Sequence, residues 1–170
     1  EGNGYYGLAY TIYQFILLLS ANGIPTAVAL LTARHLARRE YKNVFRILKG
    51  AFIFALIIGG AVSLLTLFGA EWLAVALYGE DKIGVAISLR ILAPTLFISA
   101  IMGVMRGFFQ GKNSMMPTAV SQMLEQVVHA IISVVAAYLL IFKGPAWGAA
   151  GGTLGTLMGA LSAMIFMAIV

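Results

Sequence analysis

The chain is written as long apolar runs separated by short polar or charged breaks. Crossing the ~30 Å hydrocarbon core of a bilayer as a helix takes about 20 consecutive apolar residues. About five runs qualify: residues 5–32, interrupted at Asn22-Gly23-Ile24-Pro25; 44–68; 85–109, with Pro94 inside; 117–142; and 149–170. Between the second and third, AEWLAVALYGEDK (residues 70–82) reads as a short interfacial helix, with Trp72 and Tyr78 at headgroup level.

Three of these runs carry a second pattern. On a helical wheel of the fourth run, Thr118, Ser121, Gln122, Glu125, His129 and Ser133 fall within about a third of the circumference, with Gln126 at the edge. Met123, Leu124, Val127, Ile131 and Val134 take the other side. Such a stripe cannot face lipid, so it faces a protein interior or a water-filled cavity. The first run has a milder stripe of Gly7, Tyr10, Thr11, Gln14, Asn22 and Pro25. The breaks at Asn22–Pro25 and Pro94 are expected to free backbone carbonyls at membrane depth, as in helices that line cavities and bend. In the last run Gly151, Gly155, Gly159 and Ala163 recur every fourth position. That ridge lets another helix backbone approach closely, and its expected use is packing within the chain.

Composition supports an all-α, polytopic membrane protein. Hydrophobic residues are 61% of the chain and charged residues 10%, against about 45–50% and 25% in soluble domains. Mean hydropathy is +0.96. The chain has no Cys, which excludes disulfides, thiolate metal sites and Cys nucleophiles. The opening EGNGYYG is loop-like and has no signal-peptide n-region, so the chain reads as a fragment or a processed product.

The net charge of +5 is unevenly placed. Arg34, Arg38, Arg39, Lys42, Arg46 and Lys49 cluster between the first two runs, opposed only by Glu40. Arg106 and Lys112 flank the third connection, whereas Glu71, Glu80, Asp81, Lys82 and Lys143 lie toward the other side. The positive-inside bias then puts residue 1 outside and residue 170 in the cytoplasm. The basic cluster lacks the interleaved aromatics of a nucleic-acid platform, so no nucleic-acid partner is expected, and it reads as a topology signal at an anionic leaflet.

Ionisable groups at depth are the candidate chemistry. From Pro117, Glu125 lies about 12 Å and His129 about 18 Å into the membrane at 1.5 Å per residue. A charge at mid-membrane costs about 2.5–3.5 kcal/mol on insertion scales. Arg90, some five residues inside the third run, falls near the height of His129. A shared cavity in which Arg90 meets Glu125, directly or through water, is the expectation from this arithmetic. A buried ion pair that only fixes helix packing is the structural alternative. Glu125 and His129, four apart, do not by themselves make a metal site. GNGYYG matches G-x-G-x-x-G in letters but precedes a membrane span rather than opening a βαβ unit. No catalytic constellation is visible, so the chain is not expected to be an enzyme.

Several segments are similar to a known family: GLAYTIYQFILLLSANGIPTAVA, LRILAPTLFISAIMGVMRGFFQGKNSMMPTAVSQMLEQVV and the glycine-rich last run. RGFFQG (106–111) and PTAVSQMLEQ (117–126) are the most specific. The chain resembles the stage V sporulation protein B branch of the polysaccharide flippases, in the superfamily that includes MATE exporters and MurJ lipid II flippases. The resemblance implies most of the N-terminal lobe of a two-lobed fold, without its first helix and without the C-terminal lobe. It also implies transport of lipid-linked saccharides across the bacterial cytoplasmic membrane by alternating access. On that footing Arg90, Glu125, His129, Gln122, Gln14 and Asn22 are candidate substrate-cavity residues, and Arg106 and Gln110 a cytoplasmic gate. MurJ proteins place arginines on their first helices; this chain has Leu17–Leu19 where one is sought. No cofactor is expected, and coupling would be to a monovalent cation or proton gradient. A cation-coupled MATE-type exporter and a non-transporting scaffold for cell-wall synthesis are the competing readings.

Overall fold

A computed structural model describes the backbone of residues 2–78 and 84–170; some side chains in residues 2–22, and those of 77, 78 and 84, are outside that description. It is built of helices: α1 (Gly2–Ala37), α2 (Tyr41–Tyr78), α3 (Gly84–Gly111), α4 (Met116–Leu140) and α5 (Pro145–Ile169), with one 3-10 turn, Ile141–Lys143, between the last two. Among the described residues, four helices, α2 to α5, are long and apolar enough to cross a membrane.

The third helix is the hub. It packs on α1, α2 and α5, and only lightly on α4. Apart from Arg90 and the Arg106 end it is apolar on most of its circumference, so it can be buried against several neighbours at once. Leu89, Leu92 and Leu96 pack with Ala70 and Ala74 of α2. Ala100 and Val104 pack with Ala55, also of α2. Ile98 and Met102 face Ala160 and Ala163 of α5. The side facing α1 is a ridge of Gly103, Gly107 and Gly111. A Cβ at Gly107 would stand 2.5 Å from the Pro25 carbonyl oxygen, and one at Gly111 would stand 2.6 Å from the Thr32 Cβ. Two glycines of the RGFFQG segment are thus sites of backbone contact between helices.

These contacts set the directions. Residues 25 to 32 of α1 meet 103 to 111 of α3 in the same order, so the two run parallel. Glu71 of α2 meets Arg90 of α3, and Gly59 meets Ala100, so that pair runs antiparallel. The α1–α2 and α3–α4 connections therefore share one end, as the clustering of basic residues requires. Both are closed alike. The N–H of Glu40 donates to the carbonyl of His35, and that of Arg39 to Leu36, with Arg39 left-handed (φ 58°). Ser114 donates to Phe109 and Asn113 to Gln110, with Asn113 left-handed (φ 59°). Each is a Schellman closure without the usual glycine.

Three expectations are corrected. Residues 2–7, read as a loop, are the start of α1. Both Pro25 and Pro94 lie inside continuous helices, not at breaks. A proline removes one helical hydrogen bond, and the Pro25 ring is held against Gly103. The segment expected as a separate interfacial helix continues α2 as far as Tyr78, because Ala70 and Ala74 are buried against α3. Trp72 stays 73% exposed. The Tyr78 side chain and Glu80, Asp81 and Lys82 lie outside the described residues.

Candidate functional site

The polar groups of α4 meet two neighbours. Toward α3, Glu125 takes a 2.7 Å ion pair from Arg106 Nη2, while Arg106 Nε donates to Ser121 Oγ at 3.2 Å. Ser121, fully buried, donates in turn to the carbonyl of Thr118. Toward α5, Ser133 Oγ donates to the Gly152 carbonyl at 2.8 Å. His129 Nε2 lies 3.3 Å from Thr156 Oγ1. The stripe therefore faces protein along much of its length. Its members Gln122 and Gln126 are exposed.

The expected Arg90–Glu125 pair is not formed. Arg90 Nη2 binds Glu71 Oε1 at 2.8 Å, with side chains 50% and 63% exposed. Arg90 and Arg106 are separated by about 24 Å along α3 at 1.5 Å per residue, and Glu125 lies level with the second. Sequence reasoning set Arg106 at the membrane edge because it is near the end of its run. The Arg106 guanidinium turns toward α4 and meets two residues one helical turn apart, Ser121 and Glu125. The usable signal was that Glu125 is the one acid within the fourth run, facing the end where Arg106 lies.

The other candidates are dispersed. Gln14 of α1 is exposed, as are Gly7 and Thr11, whereas Tyr10 packs against the α2–α3 core and Pro25 against α3. The milder stripe is thus divided between exposed positions, Gly7, Thr11 and Gln14, and packed ones, Tyr10 and Pro25. The side chain of Asn22 lies outside the described residues. Gln110 is half-buried near the Arg106 end of α3.

The α4–α5 interface explains the glycine ridge. A Cβ at Gly151 would stand 2.6 Å from the Ala136 carbonyl, and one at Gly159 would stand 2.7 Å from the Glu125 carbonyl. One at Gly155 would collide with Ser133 Oγ. Ridge and stripe pack on each other, as the intramolecular reading of the ridge requires.

Between helices long and apolar enough to cross a membrane, the charged pair and the hydroxyl–imidazole contact partner groups that would be costly alone in a bilayer. Residues 1–170, the whole chain, match the profile of the family described as polysaccharide biosynthesis protein. The chain belongs to that family. This family member is 32% identical over 171 residues to stage V sporulation protein B of Bacillus subtilis (strain 168), covering 98% of this chain and 32% of that protein. It is 29% identical over 175 residues to the lipid II flippase MurJ of the same organism, again covering 98% of this chain and 32% of that protein. The chain spans about a third of the length of these relatives. No solved structure matches it. With its long apolar helices, this member of the polysaccharide biosynthesis protein family is a multi-pass membrane protein.

Proposed function

We propose that the chain is part of a flippase that moves lipid-linked saccharide precursors across the bacterial cytoplasmic membrane by alternating access. Lipid II-like undecaprenyl-pyrophosphate intermediates or polysaccharide units are the cargo class. The observation that carries this reading is similarity over nearly the whole chain to a protein named as a lipid II flippase. The partly buried Arg106–Glu125 pair supports it, since such a pair can release and re-form between two helix arrangements. The basic end faces the cytoplasm, with residue 1 outside and residue 170 inside. A second lobe outside this chain supplies the opposite cavity wall.

In this reading the half-exposed guanidinium of Arg90 receives a pyrophosphate, which arginine binds bidentately. Gln14, Asn22 and Gln122 hydrogen-bond sugar hydroxyls, and His129 tunes the polar face. Arg106 and Gln110 gate the cytoplasmic end, with Glu125 as the partner that releases Arg106. A monovalent cation or proton gradient drives the cycle, with Glu125 as the exchanging group.

The test is a headgroup-accessibility assay for lipid II in cells depleted of the full-length protein and complemented with wild type, Arg90→Ala, Arg106→Ala or Glu125→Ala. Depletion should abolish outward lipid II, wild type should restore it, and each variant should restore it only in part. Normal flipping after depletion would undo the lipid II assignment. Full restoration by all three variants would make the charged groups purely structural.

A further inference from the structure

Away from the α3–α4–α5 contacts, α1 and α2 leave a groove between them. They touch far less than either touches α3. The groove holds about 480 Å³, within the size range of ligand pockets. Gly23, Ala27 and Leu31 line it from α1, and Gly50, Ala51 and Phe54 from α2. Gly23 and Gly50 open it: a Cβ at either would meet nothing within 4 Å. That sets them apart from Gly107 and Gly111, whose missing side chains are filled by a neighbouring helix.

The α1 wall continues toward the basic end. At 100° per residue, Arg34 and Arg38 lie on the same helix face as Ala27 and Leu31. On α2, Arg46 precedes Gly50 by one turn. All three arginines are exposed and, among the described residues, none has an ion pair. The nearby carboxylate, Glu40, is engaged by Asn43 Nδ2 at 3.0 Å and lies 3.7 Å from His35 Nε2. An apolar slot thus opens at one end onto unpaired guanidiniums. That combination suits an amphiphile with an apolar chain and an anionic phosphate head.

We propose that the α1–α2 groove is a binding site for an anionic glycerophospholipid of the bilayer. One acyl chain lies between Gly23 and Gly50, against Phe54, and the phosphate sits among Arg34, Arg38 and Arg46. This goes beyond the flippase reading and does not depend on it. The lipid is a resident of the leaflet that bears the basic end, not the transported cargo.

The test uses the full-length protein in nanodiscs, with Trp72, Trp147 and every tryptophan outside this chain replaced by Phe, and Phe54→Trp as the sole reporter. Fluorescence quenching is followed as brominated phosphatidylglycerol or brominated phosphatidylcholine is titrated in. Quenching should reach half-maximum at a lower mole fraction of the anionic lipid. Each of Arg34→Gln and Arg38→Gln should weaken that preference about fivefold. Gly50→Leu should fill the slot and remove quenching by both lipids, while the protein elutes as wild type. Equal quenching by the two lipids, or a preference that survives Arg34→Gln/Arg38→Gln, would overturn the proposal in favour of ordinary annular lipid. Absence of quenching by either lipid would overturn it too, since the groove would then be closed by protein.

Discussion

Arg106 and Glu125 form the one ion pair between α3 and α4 among the described residues, so breaking it should loosen that joint. Unit charges about 4 Å apart attract by about 4 kcal/mol at an effective dielectric of 20. The side chains are 17% and 23% exposed, so part of that is screened, and part offsets desolvation. A charge-assisted hydrogen bond in this setting contributes about 1.5–3 kcal/mol net. Arg106→Ala alone should cost more, about 3–5 kcal/mol, because it strands a carboxylate among apolar helices. A double-mutant cycle of Arg106→Ala and Glu125→Ala, read by reversible unfolding in bicelles, should give a coupling of about 1.5–3 kcal/mol. The cycle of Arg90→Ala and Glu125→Ala is the control and should show none, with about 24 Å of helix between their levels. A 106/125 coupling under about 0.5 kcal/mol, or a 90/125 coupling as large as the first, would refute the assignment.

Other consequences follow from the packing. Gly107→Ala should destabilise by about 1–3 kcal/mol in the same unfolding assay, since its Cβ meets backbone of Pro25 that cannot swing away. Gly23→Ala, which meets open space inside a helix, should instead stabilise by about 0.5–1 kcal/mol. Arg39→Gly should stabilise by about 1 kcal/mol by relieving a left-handed residue; no gain would show that the closure is not strained. Arg90→Ala should change stability by less than about 1 kcal/mol because its pair with Glu71 is exposed. A loss of flipping by that variant would then reflect function rather than folding.

The helices were legible because apolar runs of bilayer length have few other solutions, and because two basic connections fix one common end. Their limits were less so. A run ends in sequence where charge begins, but a helix continues until something caps it. Thus α1 carries Arg34 and His35 in its last turn, where its dipole favours cations, and ends at Ala37, closed by left-handed Arg39. The direction of a stripe is a property of one helix and could be read from the wheel. The partner of each group depends on how helices are staggered, and nothing in a single sequence states that. Arg106 was placed at the end of its run, with the gate, and not among the ionisable groups at depth, so Glu125 was matched to the wrong arginine. The glycines at 103, 107 and 111 repeat every fourth position just as those of α5 do. They were legible in principle, but two of them sat inside a segment read for its charged and polar letters.

The polar stripe of α4 and the glycine ridge of α5, separate features in the sequence, are two sides of one interface. A short polar side chain can cross between membrane helices only if the facing helix comes close enough to offer it a partner. Gly155 provides that approach beside Ser133, whose hydroxyl reaches the Gly152 carbonyl. Thr156, next in the chain, meets His129. A larger residue at 155 would hold α5 away and leave Ser133 unsatisfied in an apolar setting, losing packing and hydrogen bond together. The same reasoning accounts for the end of the stripe. Near Arg106 it is α3 that faces Ser121 and Glu125, and there the link is made by a long side chain instead of by close backbones. The α4–α5 hairpin is thus stiffly zipped along its length, while α4 is tied directly to α3 mainly through one arginine.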